Sequence, residues 1–317
     1  MVTKDAPTTA APLSGVGTRR KPRRSLAPWL LLTPAGVAVV LVTVIPIGFL
    51  VFASFTDYDQ RSLFTGEFSM VGLAQYVEIF TSAEFWKSVL RTVWFTAAMV
   101  LGTIVIGTGV AQLMTRISTG VRYVVTVILI LAWAMPNVAS SMVWNWLFQP
   151  GYGVVNWLLT QVQIFGDMTN TAWANNTALA YTAIWMLVVW QAVPFVALTL
   201  YAALTQIPKD PIEAAWVDGA TGWQVWWKVI MPFLRPTFLL VTIMSIIWDA
   251  NVFNQIWLVS AGGPGNSTST LGVYAFKKAF VGFEVGTGSA IAVITLLLLV
   301  AVTSIYIRNL LRSGEDL

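Results

Sequence analysis

Six stretches of this chain are long and apolar enough to cross a lipid bilayer, and they restrict its fold more than any other feature. They cover residues 29–55, 92–114, 123–148, 178–204, 237–259 and 288–307. Each reaches the ~20 residues that a helix needs to span the hydrocarbon core. Hydrophobic residues make up 57% of the chain and charged residues only 10%. The sequence therefore predicts an all-α polytopic membrane protein with six transmembrane helices.

The first 27 residues differ from the rest in composition. They are rich in Thr, Ala, Pro and charge, so we expect a disordered basic tail at 1–27 and one six-helix transmembrane domain at 28–317. The basic run from Arg19 to Arg24 resembles an RNA-binding arm, but its place beside a span favours a cytoplasmic anchor and no nucleic-acid partner. The uncharged run from Trp29 to Phe55 is too long for a cleavable signal peptide.

Lys and Arg residues are distributed unequally between the two sides of the predicted membrane. The tail, the loops 115–122 and 205–236 and the C-terminal end hold thirteen of them, whereas the loops 56–91, 149–177 and 260–287 hold five. Without the tail the numbers are seven and five, which keeps the same sign. Because positive charge is retained on the cytoplasmic side, we expect both termini and the loop 205–236 in the cytoplasm.

The residue types that are missing exclude several classes of chemistry. The chain has no Cys and no His, which excludes thiol chemistry, disulfides and His-based catalysis or metal sites. It also has no G-x-x-x-x-G-K-[ST] motif, and Gly107-Thr108-Gly109 lacks the required Lys. We expect no cofactor on this chain, and any ATP and Mg²⁺ must be bound by a partner protein.

The loop 205–236 is polar, although it lies between two apolar spans. Its segment 210–213, Asp-Pro-Ile-Glu, predicts a helix start with Asp210 as N-cap and Glu213 completing a capping box. Gly219 would end this helix with a positive φ, and a second helix would run from about Gly222 to Ile230 and end before Pro232.

This predicted helix–turn–helix lies outside the bilayer and exposes apolar side chains. They are Ala214, Ala215, Trp216 and Val217. Such a surface is suited to docking in a groove of a partner protein. The alternative is an ordinary surface loop whose Trp side chains touch lipid headgroups, which leaves the position of the glycine unexplained.

Polar side chains inside the spans are candidates for a solute pathway. In the fifth span Asn251, Asn254 and Gln255 share one face of a continuous helix, and Asp249 points away from that face. A charge at the bilayer centre costs about 2.5–3.5 kcal/mol, so we interpret Asp249 as a contact between helices or subunits.

The third and fourth spans add further candidates. Pro136 should disturb the third span one residue before a polar face begins. That face contains Asn137, Ser140, Ser141, Trp144 and Asn145. Gln191, just before Pro194, is the polar point of the fourth span. The alternative is that these amides and hydroxyls only join helices, at about 0.6 kcal/mol each, and we prefer this for the two serines.

Neutral amides flanked by Trp suit an uncharged, hydroxyl-rich solute, because amides hydrogen-bond hydroxyls and aromatic faces cover sugar C–H groups. Four of the sixteen Trp residues lie deep enough in a span to be weighed: Trp144, Trp185, Trp190 and Trp248. An ion-coupled secondary transporter would need coupling carboxylates, and Asp249 is the only one available. An intramembrane enzyme would lack acid–base and metal-binding residues.

One motif in the loop 205–236 resembles a known family. Glu213-Ala214-Ala215 is followed by three residues, Gly219, nine residues, Val229 and then Met231-Pro232. This spacing resembles the cytoplasmic coupling loop of ABC-importer permeases, with Val and Met in place of the family's Ile and Leu. The resemblance implies that Glu213, Ala214, Ala215, Asp218 and Gly219 contact a cytoplasmic ATPase.

A second set of motifs narrows the resemblance to the carbohydrate, maltose-type permeases, and to the first permease of such pairs. They are Asn251-x-x-Asn254-Gln255-Ile256-Trp257-Leu258, Gly262-Gly263-Pro264-Gly265-Asn266-Ser267-Thr268, Tyr274-Ala275-Phe276 and Val71-Gly72-Leu73 with Tyr76 and Phe85-Trp86. The resemblance covers nearly the whole chain after residue 28, and the chain as a whole also resembles the permeases of actinobacterial trehalose importers.

This resemblance implies a non-catalytic translocation subunit in the inner (plasma) membrane of a bacterium. Its partners would be a second, homologous permease, two copies of a cytoplasmic ATPase and an extracytoplasmic sugar-binding protein. The solute pathway would contain Asn251, Asn254, Gln255, Asn137, Trp144 and Gln191.

Overall fold

The computed structural model describes residues 27–314, which form helices joined by turns and loops. The helices are α1 (Ala27–Val39), α2 (Ile45–Ala53), α3 (Gln60–Thr65), α4 (Ala74–Thr81), α5 (Ala83–Arg116), α6 (Thr119–Ala134), α7 (Asn137–Leu147), α8 (Val154–Val162), α9 (Thr177–Leu204), α10 (Lys209–Val217), α11 (Gly222–Val225), α12 (Met231–Ala250), α13 (Asn254–Ser260), α14 (Leu271–Phe276) and α15 (Val285–Gly314). π-Helical turns cover Val40–Val44, Trp226–Ile230 and Lys277–Val281, and a 3₁₀ turn covers Trp173–Asn175.

The helices that can cross a membrane agree in number with the prediction. Five continuous ones are long and apolar enough: Leu31–Ala53, Ala83–Arg116, Thr177–Leu204, Gly222–Ala250 and Val285–Ser304. The pair α6 and α7 passes the same test together, although the two helices are bent by 100° at their junction. Counted as one span, this pair brings the total to six, which confirms the predicted all-α membrane fold.

The third span is broken where the sequence analysis placed a disturbance. α6 ends at Ala134 and α7 begins at Asn137, with Met135 and Pro136 between them in extended conformation. A proline disfavours helical backbone at the residue before it, which explains the extended Met135. The span predicted over 123–148 is therefore two helices and not one continuous helix, and the predicted effect of Pro136 is confirmed.

The fifth span differs more from its predicted bounds, 237–259. Its helix begins already at Gly222 and does not stop before Pro232 as predicted. The π-helical turn Trp226–Ile230 lets the chain continue, since the N–H of Met231 donates to the carbonyl of Trp226, five residues back. Pro232 follows this turn directly and, since it has no N–H, makes no helical bond to the residues before it. The helix ends at Ala250, and α13 begins after a break at residues 251–253.

The chain divides into two units, Met1–Gly48 and Phe49–Leu317. In the described part of the first unit, α1 contains Pro34 and continues into a π-helical turn. In the second unit, α5 and α9 pack along each other at the centre. Gly107 allows their close approach, because a Cβ there would lie 2.7 Å from Cγ1 of Val196.

Other expectations concern the termini and the outer loops. The predicted tail 1–27 lies outside the described residues, apart from Ala27 at the start of α1. The loops 56–91 and 149–177 contain the short helices α4 and α8, and Ser82 starts α5 by accepting a hydrogen bond from the N–H of Phe85 at 3.4 Å.

Candidate functional site

A cavity of about 420 Å³ lies in the second unit, between the breaks in the third and fifth spans. It is lined by Trp133, Asn137, Val188, Gln191, Ala192, Ile247, Trp248, Asp249, Asn251, Val252, Phe253, Asn254 and Gln255. Five of the six predicted pathway residues are therefore found together. This volume falls in the range of small-molecule sites, about 300–1,000 Å³.

Gln191, on α9, connects the two broken spans. Its Nε2 donates to the carbonyl of Met135 at 2.9 Å and to Oδ1 of Asn137 at 2.8 Å, both at the break of the third span. Its Oε1 accepts a hydrogen bond of 3.4 Å from Nε2 of Gln255, just beyond the break of the fifth span. Gln191 is buried, with 8% of its surface exposed. The amide of Gln191 thus links the two breaks, with its nitrogen bonded to the third span and its oxygen bonded to the fifth.

The remaining polar side chains of α7 bond within the protein, but the two serines bond mainly inside α7, and of the two only Ser140 reaches another helix, through Oε1 of Gln191 at 3.5 Å. Ser141 Oγ donates to the carbonyl of Asn137 at 2.6 Å, and Ser140 Oγ donates to the same carbonyl at 3.1 Å. Asn145 Nδ2 donates to the carbonyl of Leu258 at 3.0 Å, which fastens α7 to α13. These side chains make their hydrogen bonds within the protein and do not line the cavity.

The predicted arrangement of the fifth span is wrong, because it assumed a continuous helix. Asn251 is the C-cap of α12, and its Nδ2 donates to the carbonyl of Ile247 at 2.8 Å. Asn254 and Gln255 belong to the next helix, α13. The break brings all three amides to the cavity, although they do not share a helix face.

The same break corrects the prediction for Asp249. The sequence analysis placed it away from the amides, but it lines the same cavity. Its side chain is 5% exposed, and its Oδ2 has no hydrogen-bond partner among the residues that the structure describes. The lone charge in an apolar run is visible in the sequence. The break that brings the amides to the same cavity is not.

Trp144 is the predicted pathway residue that lies elsewhere. With Trp185, Trp190 and Pro194 it lines a second cavity of about 360 Å³, which is otherwise apolar. Its ring stacks on Phe148 at a centroid distance of 5.8 Å. Of the four deep Trp residues, only Trp248 lines the polar cavity, together with Trp133, which the sequence analysis missed. Trp133 lies one turn before Pro136, and this position was the available signal.

The helix α10 in the loop 205–236 starts earlier than predicted. Pro208 occupies the N-cap position, and no side chain caps the helix there. Asp210 is therefore not the N-cap and Glu213 forms no capping box with it. Asp210 lies within the first turn, where a negative charge still interacts favourably with the helix dipole.

The end of α10 confirms the predicted role of Gly219. Its φ is +78°, a conformation that side chains with a Cβ rarely adopt. The N–H of Gly219 donates to the carbonyl of Trp216 at 3.1 Å, and that of Ala220 donates to the carbonyl of Ala215 at 3.0 Å. These two bonds form a Schellman motif, which closes the helix.

A capping box does occur in this loop, but it begins at Thr221, eleven residues after the predicted N-cap Asp210. The N–H of Thr221 donates to Oε1 of Gln224 at 2.8 Å, and the N–H of Gln224 donates to Oγ1 of Thr221 at 3.4 Å. It starts α11 at Gly222, as expected. The Thr-x-x-Gln signal was present in the sequence but was overlooked.

The surface of this helix–turn–helix is polar at the turn and apolar beside it. Glu213, Asp218 and Gly219 are exposed. Ala214, Trp216 and Val217 are exposed as well, the last to 87%, whereas Ala215 is half-buried. A further exposed pair, Trp223 and Trp227, packs edge to face at 5.4 Å. The five predicted coupling residues thus lie on one short helix and its turn.

No group of three or more acidic side chains is placed to hold a metal ion within residues 27–314. Gly107-Thr108-Gly109 lies inside α5 and forms no loop. The described residues thus combine a polar cavity with an exposed, partly apolar helix–turn–helix.

Comparison with known proteins identifies the family. The family described as "Binding-protein-dependent transport system inner membrane component" matches residues 103–313. The diacetylchitobiose uptake system permease protein DasB of Streptomyces coelicolor is 38% identical over 292 residues, which are 92% of this chain and 89% of DasB. The trehalose/maltose transport system permease protein MalF of Thermococcus litoralis is 30% identical and covers 92% of this chain and 96% of MalF.

A solved structure supports the fold. A chain of a bacterial alginate ABC transporter, in complex with an alginate pentasaccharide-bound periplasmic protein, superposes with a TM-score of 0.72 over 89% of this chain and 93% of its own length. The identity is 18%, so this likeness concerns the fold alone. Family and fold agree with the resemblance seen in the sequence, and the chain belongs to the family of binding-protein-dependent transport system inner membrane components, the non-catalytic permeases of ABC importers.

Proposed function

We propose that this chain is the first-type permease of an ATP-driven importer that carries a sugar of about disaccharide size, such as trehalose or a related carbohydrate. The observation that carries the proposal is the cavity at the two helix breaks, where neutral amides from three spans converge. Broken spans that surround a polar cavity are a recurrent design of solute sites in transporters.

The chemistry of the lining fits a hydroxyl-rich solute. The amides of Asn251, Asn254 and Gln255 can donate to and accept from hydroxyl groups. The rings of Trp133 and Trp248 are 51% and 45% exposed, and such faces can cover the apolar side of a sugar ring. The named substrates of the two relatives, diacetylchitobiose and trehalose or maltose, are disaccharides, which supports the proposed size.

The helix–turn–helix of the loop 205–236 is proposed to dock on the ATPase. Ala214, Trp216 and Val217 form an exposed apolar surface next to the acidic groups of Glu213 and Asp218. An amphipathic helix of this kind binds by placing its apolar side in a groove. Two ATPase copies would bind ATP and Mg²⁺, a second permease would complete the cavity, and a sugar-binding protein would deliver the solute from outside.

This assignment requires the loop 205–236 to be cytoplasmic. The chain has no Cys, so single cysteines can be introduced without a background. Phe64→Cys, on the opposite loop, and Trp223→Cys are suited to labelling, because the native side chains are 84% and 71% exposed. A membrane-impermeant maleimide on intact cells should label Phe64→Cys alone, and labelling of Trp223→Cys alone would invert the topology.

The function is tested by reconstituting the chain in proteoliposomes with its partner permease, ATPase and binding protein. Uptake of labelled trehalose, maltose and diacetylchitobiose should depend on ATP and should stop with vanadate. Uptake that continues without the ATPase and stops with a proton ionophore would instead indicate an ion-coupled secondary transporter.

A further inference from the structure

Asp249 is the only ionisable residue among those that line the polar cavity. It lies one residue before the end of α12, where the fifth span breaks. With 5% of its surface exposed and Oδ2 unpartnered among the described residues, its carboxylate is buried without compensation. A buried charge of this kind is costly unless another group approaches it. A group that enters the cavity is in position to do so.

The side-chain amides that line the cavity are partly engaged in hydrogen bonds within the protein. The donor atoms of three amides are engaged within the protein: Nε2 of Gln191 with Met135 and Asn137, Nδ2 of Asn251 with Ile247, and Nε2 of Gln255 with Gln191. The oxygens of Asn251 and Gln255 and the carboxylate of Asp249 keep acceptor capacity. The amides of Asn137 and Asn254 can still donate, so the lining offers both donors and acceptors. Asp249 differs from these amides because its ionised carboxylate can only accept.

Positive charges near the membrane lie at helix ends, away from this cavity. Arg91 pairs with Glu84 at 2.6 Å near the start of α5. Arg122, in the first turn of α6, donates to the carbonyls of Met114 and Ile117. Neither they nor any other Lys or Arg belongs to the lining. An anionic solute would meet an unpaired carboxylate and no Lys or Arg among the described residues that line the cavity.

We propose that Asp249 is the charge-selecting residue of the permease, and that its solutes are uncharged or amine-bearing sugars, whereas uronate-type sugars are rejected. The carboxylate accepts a hydrogen bond from a hydroxyl or ammonium group of the sugar and repels a second carboxylate. This inference rests on the proposed sugar-import function and adds the charge of the substrate to it.

The test uses the assembled membrane complex in nanodiscs, without the soluble binding protein, so that only the permease cavity selects. Binding is measured by saturation-transfer NMR with three disaccharides of similar size: diacetylchitobiose (uncharged), chitobiose (cationic) and cellobiouronic acid (anionic). The measurement is made at about pH 6 and at about pH 8, so that the sugar amines are protonated at the lower value and carboxylates are ionised at the higher one.

The wild type should bind chitobiose most tightly and cellobiouronic acid at least about tenfold more weakly than diacetylchitobiose, because like charges brought together cost several kcal/mol. Asp249→Asn keeps the shape and removes the charge, so the three affinities should converge to within about threefold. Glu67→Gln removes one negative charge from an exposed outer-loop position and should leave the order of affinities unchanged.

Two results would overturn the inference: equal affinity of the wild type for the anionic and uncharged sugars, or an unchanged order of affinities in Asp249→Asn. The wild-type affinities test charge selection even if the Asp249→Asn variant does not assemble. If the wild type binds none of the three sugars, the proposed sugar function fails, and the inference fails with it. That outcome differs from sugar binding without charge selection, which leaves the proposed function standing.

Discussion

The two ends of the fifth span are built in different ways. At its N-terminal end, residues 215–224 are shaped by bonds between close neighbours, namely the Schellman motif at Gly219 and the capping box of Thr221 and Gln224. At the cavity end, the break at residues 251–253 is held by partners far away in the sequence, such as Gln191 for Gln255 and Asn145 for Leu258. Hydrogen bonds between neighbours in the sequence thus shape the helix–turn–helix of the loop 205–236, and contacts between distant residues shape the cavity.

This difference implies different responses to mutation. Changes in the helix–turn–helix should act on one short segment and on the ATPase that we propose to dock there. Changes at the cavity should affect several spans at once, because Gln191 bonds to residues of both the third and the fifth span. The predictions below test this contrast, from the largest expected effect to the smallest.

Gln191→Leu should have the largest effect. It removes the partner of the Met135 carbonyl, of Asn137 and of Gln255 in one step. The amide of Gln255 is buried, and leaving a buried polar group unpaired costs about 1–3 kcal/mol. Together with the loss of the bonds to Met135 and Asn137, this should bring sugar uptake close to background and lower the melting temperature. Gln206→Leu is the control, because that exposed amide lies in the turn after α9 and donates to the carbonyl of Ala202 in the last turn of α9. Near-normal uptake in Gln191→Leu would show that the two breaks hold without this link.

How much the sequence could predict follows the same contrast. The spans, the break at Pro136 and the turn at Gly219 follow from apolar length, proline and glycine, which act locally. The break at 251–253 contains Asn, Val and Phe and no local breaker. Val252 is buried there in a cluster with Phe95, Met99 and Ile256. Since that packing depends on other helices, the reorientation of Asp249 and of the amides could not be read from the fifth span alone.

Asn254→Leu tests whether the cavity contacts the solute. Its amide lines the cavity at the start of α13. Loss of one hydrogen-bond partner at about 1–3 kcal/mol corresponds to a roughly five- to 150-fold decrease in uptake. ATP hydrolysis stimulated by the binding protein should persist, because the docking surface is untouched. Asn170→Leu, at an exposed position outside the cavity, is the matched control. Wild-type uptake in Asn254→Leu would mean that this amide only supports packing.

Gly219→Val should damage coupling and leave the cavity intact. A residue with a Cβ costs about 1–2 kcal/mol in the left-handed conformation, and the β-branched valine is among the least tolerant. Uptake and ATPase stimulation should fall about five- to 30-fold together, while sugar binding to the complex stays normal. Gly219→Asn should recover part of the activity, because Asn tolerates positive φ. Gly120→Val, at an open position of α6 with ordinary φ, is the control.

Thr221→Ala should have the smallest effect, and it tests whether the local bonds alone hold the docking surface. The change removes the hydroxyl that accepts the N–H of Gln224, and loss of an N-cap typically costs about 1 kcal/mol. If the docking surface needs α11 to be formed, ATPase stimulation should fall about fivefold, and uptake should fall in parallel. Thr221→Ser keeps the hydroxyl and should restore both. The affinity of the cavity for sugar should be the same in all three proteins, since the capping box contacts no residue of the cavity. A change in that affinity would show that the two ends of the fifth span are linked through the helix between them, and that the separation into a local and a tertiary end is incomplete.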